Sequence, residues 1–410
     1  MNNRPLAGIR VLELGAAIAL PLCTRLLAEL GAEVIKAESV RRPDNFRRGE
    51  GGFSDIGAGP NVSRSFNEFN RNKLGITVNL AAPQGRDLLR RVAALCDVVA
   101  NNYSAGVLPR WGLDYAGLRT VKSDIICLDT QGLGKTGPRR DHVTLGLSIM
   151  PLMGMTHLWS PYRSPHPVGA QVAHPDYVSA TLAALAILAA LRHRDATGEG
   201  QHIDVAQAEA AGLLLSLQYL ECTVNERVPG PLGNVNPYAA PHGVYPCADE
   251  PGRGERWCAI AVTTPAQWRG LARAMGDPEW CREPRFADLL GRRRHREELD
   301  ALLSRWTRLH PPHEVMSLLQ AEGVPAGTVQ NGADLYHDPH LRQRGFIMEA
   351  PHPGMPTIAY AGVTMRLSAT PAEVRRRAPA LGEHNEYVYG ELLGLSAAER
   401  VEMAAEGVVT

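Results

Sequence analysis

The chain has 410 residues, enough for about two or three domains and for a large hydrophobic core. Hydrophobic residues make up 44% and charged residues 21% of the sequence, which is the composition of a globular protein and excludes extended disorder. Forty-three Lys and Arg balance 43 Asp and Glu, so no overall charge attracts the protein to nucleic acid or to anionic membranes.

The ends and the cysteines indicate a cellular compartment. The N-terminal MNNRPLAGIRVLELG lacks the basic stretch and long apolar core of a secretory signal. The most apolar run, 180–191, is too short to span a bilayer. The seven cysteines are scattered and include no CxxC pair, which is typical of reduced, buried thiols. We therefore expect a cytoplasmic protein with no membrane or nucleic-acid partner.

The first 130 residues alternate between strand and helix patterns. Short apolar strands are predicted at 9–14, 33–36, 74–80, 97–100 and 124–128, with helices at 21–30 and 84–96 between them. Strands separated by helices of this length form a parallel sheet with right-handed crossovers. The pattern predicts an α/β fold with a Rossmann-like, doubly wound large domain.

Composition divides the rest of the chain. A long, nearly uncharged helix is predicted at 176–193, followed by a strand at 201–205 and an apolar helix at 206–220. The proline-rich stretch 225–256 predicts a linker. Residues 1–224 then form the first part of the large domain, 257–333 a smaller α+β domain, and 334–410 a third segment with strands near 357–361 and 364–367 and a last helix near 396–405.

Familiar cofactor motifs do not occur in the sequence. The turn after the first strand, 15–19, lacks the G-x-G-x-x-G pattern that admits a pyrophosphate, and there is no Walker loop, HExxH or G-x-S-x-G. His337 and His340 form an H-x-x-H without a nearby third ligand. The sequence predicts neither a metal site nor a requirement for a redox cofactor.

Asp176 is the most distinctive candidate for chemistry. It follows Pro175 and opens the apolar helix, so it is either a helix N-cap or a reactive carboxylate, and the two roles are compatible. A helix N-terminus favours the ionised form of a carboxyl. An ionised carboxylate is the nucleophile that covalent catalysis requires.

Four segments carry a resemblance to a known family. They are the run from Asp176 through TGEGQHIDVAQAEA, the opening PLAGIRVLELG with LLAELGAEVIKAE, FNRNK at 69–73, and LGEHN at 381–385. Together they resemble the class III CoA-transferases, which include formyl-CoA, carnitine and dicarboxylate CoA-transferases and have α-methylacyl-CoA racemase as a relative. The resemblance covers essentially the whole chain.

The resemblance implies an architecture that spacing alone does not. Residues 334–410 would return to the large domain, which makes each subunit an open ring with the smaller domain. Two such rings would interlock, either as a homodimer or as a heterodimer with a homologous subunit.

The resemblance also implies site residues. Asp176 matches the nucleophile, and the turn at Ala16–Ala19 offers backbone N–H groups to an oxyanion. The positions that would contact CoA or acyl-CoA, here the substrate, are Ala17, Ala19, Lys73, Asn102, Tyr103, Arg110, and Arg139 or Arg140. Lysine and arginine suit the CoA phosphates.

The expected reaction moves CoA from an acyl-CoA, such as succinyl-CoA, to a medium-sized, partly apolar carboxylic or dicarboxylic acid through an aspartyl-CoA thioester. The segment 148–167 is expected to line the acyl pocket with Met150, Met153, Met155, Trp159 and Tyr162; core packing is the alternative role of these methionines. His166, Arg163 or His174 would hold a second carboxylate.

Two other functions stay open at this stage. An acyl-CoA racemase or epimerase would use a His/Asp pair, and His142 lies two positions from where such enzymes place their histidine. A non-catalytic subunit of a heteromeric CoA-transferase is the other alternative, although the presence of Asp176 argues against it.

Overall fold

The computed structural model describes residues 4–49, 59–161, 164, 166–252, 254–352 and 355–409, with only the backbone of 355 and 356. The chain divides into a first unit, Met1–Met155, Ala170–Arg227 and Pro339–Thr410, and a second unit, Thr156–Gly169 and Val228–Asp338. This division differs from the expected one. Residues 156–169 join the second unit, most of the expected linker 225–256 lies inside that unit, and the third segment returns to the first unit at 339 instead of 334.

Six parallel strands make the central sheet of the first unit. They are β1 (Arg10–Leu14), β2 (Glu33–Glu38), β3 (Lys73–Thr77), β4 (Val98–Asn101), β5 (Ile126–Asp129) and β6 (His202–Asp204), in the spatial order β3-β2-β1-β4-β5-β6. Val11 pairs with Val34 on one side and with Val98 on the other. This is the doubly wound order, which reverses between β1 and β4. The parallel α/β sheet predicted from the sequence is confirmed.

Helices cover both faces of this sheet. In chain order they are α1 (Ala19–Glu29), α2 (Arg64–Asn70), α3 (Pro83–Ala94), α4 (Val107–Trp111), α5 (Tyr115–Leu118), α6 (Gly146–Leu152), α7 (Met155–Trp159, mostly in the second unit), α8 (His174–Thr197), α9 (Gln207–Gly212) and α10 (Ser216–Asn225). Val11 packs with α1 and α8, whereas its neighbour Leu12 packs with α3 on the opposite face. Because both faces are buried, the strands read as continuous apolar runs.

The long helix α8 passes a simple test for a membrane span. By length and composition it is apolar enough to cross a bilayer, but half of its most apolar 18-residue stretch is buried inside the protein. It contacts α1, α6, α9 and β5, and Ala180, Ala183 and Ile187 are fully buried. These contacts are those of a core helix, which is what the sequence predicts.

The second unit has an antiparallel sheet and a helical layer. Its strands β7 (His242–Pro246), β8 (Trp257–Ala261) and β9 (Ala326–Thr328) lie in the order β7-β8-β9, and its helices are α11 (Pro265–Ala274), α12 (Leu289–Arg294), α13 (Arg296–Thr307), α14 (Pro312–Ala321) and α15 (Gly332–His337). Trp268, Phe286 and Leu299 belong to its core. Strand β7 therefore forms within the proline-rich stretch, at the sheet edge where proline is tolerated.

The last segment closes the edge of the large sheet. It contains α16 (Pro339–Gln343), the hairpin strands β10 (Ile347–His352) and β11 (Met355–Ala361), and α17 (Ala397–Ala405). The strand expected at 364–367 is wrong, since these residues have no regular structure. The backbone N–H groups of Gly75 and Thr77 on β3 donate to the side chains of His384 (3.1 Å) and Asn385 (2.9 Å). An edge strand exposes such N–H groups, so the LGEHN motif has a structural role here.

Candidate active site

A cavity of about 530 Å³ lies in the first unit at the carboxyl ends of the parallel strands. Its wall includes the turn 16–19 after β1, residues 102–105 after β4, residues 130–133 after β5, and Asp176. Doubly wound sheets bind ligands where the strand order reverses, here between β1 and β4. The volume is that of a small-molecule site. The topology thus places Asp176 where a substrate is expected.

Asp176 is a half-buried carboxyl in the first turn of α8. The helix begins at His174, its N-cap is Ala173, and no side chain caps it, so Asp176 is not the N-cap that the sequence allowed. Within the described residues, nothing donates a hydrogen bond to its carboxylate and no cation pairs with it. Burial raises the pKa of Asp176 to about 7. Burial therefore opposes the helix terminus, and near neutral pH part of this carboxyl is ionised and poorly solvated.

Gly146, the first residue of α6, lies directly against Asp176. A Cβ at this position would be 2.1 Å from Oδ2 of Asp176 and 2.7 Å from Cβ of Ala173. Any side chain here would displace the carboxylate. No sequence pattern singled out Gly146, and the only signal was a glycine in the first turn of a helix, where it adds no helical stability.

The turn between β1 and α1 is held by three side chains. Asn102 accepts a hydrogen bond from the N–H of Ala16 (3.1 Å) and donates one to its carbonyl (2.9 Å). Ala17 has a left-handed backbone (φ 67°), and its N–H donates to Asp44 Oδ1 at 3.3 Å. Lys36 donates to the carbonyl of Gly15 at 2.8 Å. A left-handed Ala is strained and persists only where its surroundings enforce it.

These bonds decide which N–H groups of the turn are free. The N–H of Ala17, expected at the substrate, is already used by Asp44. In the described part of the chain, the N–H groups of Ile18 and Ala19 make no hydrogen bond, and both residues line the cavity. Ala19 is therefore placed as the sequence suggested, and Ile18 joins it as an oxyanion donor candidate.

Lys73 is a correction to the sequence-based expectation, because it does not reach the cavity. It is fully buried, and its Nζ donates to Glu13 Oε2 (2.7 Å), the carbonyl of Pro21 (2.8 Å) and Asn70 Oδ1 (2.9 Å). An ammonium has three donors, so none is left for the nucleotide end of CoA. Burial, together with the neighbouring Lys36, lowers the pKa of Lys73 to about 8 against the pull of Glu13.

Lys73 belongs to a buried charge cluster with Glu13, Lys36 and Asp44. Glu13 lies between the two lysines, with its Oε1 2.8 Å from Lys36 Nζ, and Lys36 is also 3.0 Å from Asp44. Burial alone would raise the pKa of Glu13, but the two lysines lower it to about 2. Since Lys36 and Asp44 bind the turn after β1, the cluster supports one wall of the cavity.

The remaining CoA candidates divide into two groups. Asn102, Tyr103 and Arg140 line the cavity, whereas Arg110 and Arg139 are exposed and are not among its lining residues. The side chain of Arg140 is 58% exposed, so its guanidinium can reach a phosphate. Burial raises the pKa of Tyr103 to about 12. Tyr103 is therefore neutral, and of the two adjacent arginines Arg140 is the better placed.

Within the described residues of the first unit, the methionines of the expected acyl pocket do not line the cavity. Met150 and Met155 are buried core residues and Met153 is half-buried, and none of them lines the cavity. Trp159 and His166 lie in the second unit, and His174 is absent from the lining. Tyr162 and Arg163 fall outside the described residues. The apolar lining comes instead from Ile18, Phe46, Leu133, Val143, Leu145, Leu147, Val172 and Tyr177. Adjacent helices turn their methionines into the core, which residue type could not reveal.

Sequence reasoning missed Thr130 and Gln131, which follow β5 and line the cavity. The amide nitrogen of Gln131 donates to the Tyr103 carbonyl (3.0 Å) and to Asp129 (3.3 Å). Its amide oxygen and the Thr130 hydroxyl are buried and have no hydrogen-bond partner in the part of the chain that the structure describes. Polar residues at the carboxyl end of a predicted parallel strand were the available signal.

Comparison with known proteins agrees with this geometry. A family model for CoA-transferase family III matches residues 6–385. The chain is 35% identical over 410 residues to the succinyl-CoA–D-citramalate CoA-transferase of Chloroflexus aurantiacus, with 99% of this chain and 98% of the relative covered. It is 30% identical over 410 residues to the succinyl-CoA–L-malate CoA-transferase beta subunit of the same bacterium, with the same two coverages.

A solved structure shares the fold. The crystal structure of a CAIB/BAIF family protein from Brucella suis matches with a TM-score of 0.85 and 31% sequence identity, and the match covers 95% of this chain and all of that chain. The family model and the relatives extend over both units and include the cavity with Asp176. The chain is therefore an enzyme that belongs to CoA-transferase family III.

Proposed function

We propose that this enzyme transfers CoA from succinyl-CoA to a substituted dicarboxylic acid, with Asp176 as the covalent nucleophile. The observation that carries the proposal is the position of Asp176, a carboxylate that none of the described residues pairs, in a cavity at the switch point of the sheet. A carboxylate used only for structure would be paired when buried. Arg140 and Tyr103 are the residues that we expect beside the CoA.

The proposed course has four balanced steps. The Asp176 carboxylate attacks the donor thioester carbonyl, which gives a mixed anhydride and CoA thiolate. The thiolate attacks the Asp176 carbonyl, releases the donor acid and leaves an aspartyl-CoA thioester. The acceptor carboxylate attacks this thioester to give a second anhydride and thiolate. Attack of the thiolate on the acceptor acyl carbonyl then yields the new acyl-CoA and restores Asp176.

The residues have separate roles in these steps. The free N–H groups of Ile18 and Ala19 are the proposed donors to each tetrahedral oxyanion. No metal or redox cofactor takes part. Because only ionised Asp176 is nucleophilic and its pKa is about 7, the exchange rate is expected to rise with pH through neutrality.

The acceptor class follows from the lining and the relatives. Phe46, Leu145, Val172 and Tyr177 provide an apolar wall for the acyl group. The two relatives are named for succinyl-CoA as donor and for D-citramalate and L-malate as acceptors. We therefore propose a branched or substituted succinate-type acceptor, because its extra group buries apolar surface worth roughly 25 cal/mol per Å².

Exchange from succinyl-CoA to itaconate, mesaconate, benzylsuccinate and oxalate, read by mass, tests the acceptor. We expect the substituted acids to have a higher kcat/KM than oxalate; a preference for oxalate would contradict the pocket argument. Peptide mapping after incubation with succinyl-CoA and borohydride reduction tests the intermediate, and the modification is expected on Asp176.

We also propose a dimeric assembly, as a homodimer or with a homologous subunit. In the first unit, α10 and the turn before it present an apolar stripe of Leu213, Leu217, Leu220 and Val224, between 56% and 74% exposed. Contiguous exposed apolar side chains of this kind are typical of a protein interaction site. The relative named as a beta subunit favours the heteromeric form. Leu217→Lys should shift the mass measured by light scattering towards the monomer, whereas the exposed control Leu185→Lys should not.

All seven cysteines are free thiols, which supports the proposal that the enzyme works in the cytoplasm. Disulfides are rare in reducing compartments.

The racemase alternative keeps one supporting observation. His142 lines the same cavity as Asp176 and is exposed. A His/Asp pair would exchange the α-proton of a 2-methylacyl-CoA with solvent. Deuterium uptake from heavy water without CoA transfer would favour this second function.

A further inference from the structure

A second cavity lies at the amino ends of the parallel strands, whereas the Asp176 cavity lies at their carboxyl ends. It has a volume of about 380 Å³ and is lined by the amino ends of the first three strands, including Arg10, Glu33 and Leu74. It shares no lining residue with the Asp176 cavity. Both cavities belong to the first unit. The proposed transfer mechanism assigns no step to this second cavity.

Positive charge is in excess around it. The cavity is lined by Arg4, Arg10, Arg375 and Arg376 and by a single acidic residue, Glu33. Glu33 pairs with Arg10, and Arg4 pairs with Glu373 at 3.0 Å. Among the described residues, the guanidinium of Arg375 donates only to the carbonyl of Ala28, at 2.6 Å. Among the residues that the structure describes, the Arg376 guanidinium has neither a hydrogen-bond acceptor nor a carboxylate partner. Within the described residues, Arg375 and Arg376 are therefore the two arginines of the cavity without a direct ion pair.

A buried asparagine holds these two arginines together. Asn72 is 5% exposed and has a left-handed backbone (φ 65°). Its Oδ1 accepts the backbone N–H groups of Arg375 (2.6 Å) and Arg376 (3.1 Å), and its Nδ2 donates to the carbonyl of Glu373 (2.7 Å). Its own N–H donates to the carbonyl of Arg376 at 3.1 Å. These hydrogen bonds hold the backbone of Arg375 and Arg376 in place. The two like charges therefore start from the same wall of the cavity.

Arg375 and Arg376 are both exposed, so water screens much of the repulsion between their like charges. Burial, followed by the charges of Arg4 and Arg376, lowers the pKa of Arg375, and the charge of Glu373 opposes this shift. A bound oxyanion would offset this repulsion and would accept hydrogen bonds from planar guanidinium groups, which match carboxylate and phosphate in geometry.

We propose that this cavity binds a small, doubly charged oxyanion, either a phosphate or a dicarboxylate. Arg376 supplies the free guanidinium, Arg375 adds a second one, and Asn72 fixes the backbone of both. The site is separate from the proposed transfer chemistry, since it lies at the amino ends of the strands. A dicarboxylate here would let the enzyme sense the acids that it exchanges, and a phosphate would not.

The test is calorimetric titration of the whole protein with inorganic phosphate and, separately, with succinate at low ionic strength, because salt screens exposed charges. Arg376→Gln should weaken binding by about tenfold or more, as expected for lost charge-assisted hydrogen bonds. Arg192→Gln, which removes an exposed arginine of α8, is the matched control and should leave binding unchanged.

If Arg376→Gln loses only phosphate binding, the cavity is a phosphate site. If it loses only succinate binding, the cavity is a dicarboxylate site. If succinate binds the Arg376→Gln variant as tightly as the wild type and is displaced by CoA, it occupies the Asp176 cavity. This result would overturn the proposal that the second cavity binds a dicarboxylate. Saturable binding of neither ion, or equal losses in the Arg376 and Arg192 variants, overturns the proposal altogether.

Discussion

Two carboxyls of the first unit, the buried Glu13 and the half-buried Asp176, have opposite surroundings. Glu13, in the middle of β1, contacts Lys36 and Lys73 and accepts the hydroxyl of Thr24. Asp176, at the start of α8, has no such partner within the described residues. The pKa of Glu13 is about 2 and that of Asp176 is about 7. Burial raises both values, so the difference comes from the partners.

The difference in partners distinguishes a carboxyl with a structural role from a carboxyl that is available to react. A paired carboxylate has its lone pairs occupied, which makes it a good structural group and a poor nucleophile. An unpaired carboxylate beside a cavity keeps its lone pairs for a substrate, at a cost in stability. The comparison leads to four predictions.

The largest effect is expected from Asp176→Asn. The amide cannot attack a thioester, so exchange from succinyl-CoA should fall by about a thousandfold or more, while the circular dichroism spectrum stays that of the wild type. Asp195→Asn, an exposed change near the other end of α8, is the control and should keep full activity. Normal exchange by the Asp176 variant would remove this residue from the mechanism.

Glu13→Gln should act on stability first. It leaves Lys36 and Lys73 without their shared carboxylate, and breaking a buried ion pair costs about 3–5 kcal/mol. Urea denaturation should show this loss in the free energy of unfolding. Asp87→Asn breaks an exposed pair with Arg90 (2.7 Å) and should cost less than about 1 kcal/mol. An unchanged midpoint with lost exchange would place Glu13 in the chemistry instead.

Asn102→Ala tests whether this residue holds the turn or contacts CoA. Loss of both hydrogen bonds to Ala16 should misplace the free N–H groups of the turn and lower kcat by roughly tenfold to a hundredfold. The KM for succinyl-CoA should change little. A raised KM with normal kcat would show that Asn102 instead binds CoA, as the family resemblance implied.

The smallest effect is a dependence of stability on pH. Because folding raises the pKa of Asp176 from 3.8 to about 7, the folded state holds this proton more tightly. Wild-type stability contributed by the group is full below pH 4 and is lost as the pH rises through 7. Asp176→Asn lacks this loss, so its Tm should exceed the wild-type value by roughly a few degrees at pH 8 and by very little at pH 4. If the variant and the wild type had the same Tm at pH 8 as well as at pH 4, this result would contradict the unpaired state of Asp176.

The sequence by itself determined the parallel sheet, and it singled out Asp176 as the candidate nucleophile. Apolar runs such as VLEL at 11–14 and the helical segments between them predict a parallel sheet, because a strand buried on both faces must be apolar throughout. Asp176 stood out because it follows Pro175 at the head of an apolar helix and matches the nucleophile of the family that the sequence resembles. Local pattern is enough for features that depend on local burial.

Only the tertiary structure decided which side chains face the cavity. Lys73 and Met150 have the right residue types for a phosphate and an acyl chain, yet packing turns one onto Glu13 and the other into the core. Gly146 has no side chain to attract notice, and its role appears only when α6 lies against α8. Residue type limits what a position can do, but partners distant in sequence decide whether a charge is paired, buried or free to react.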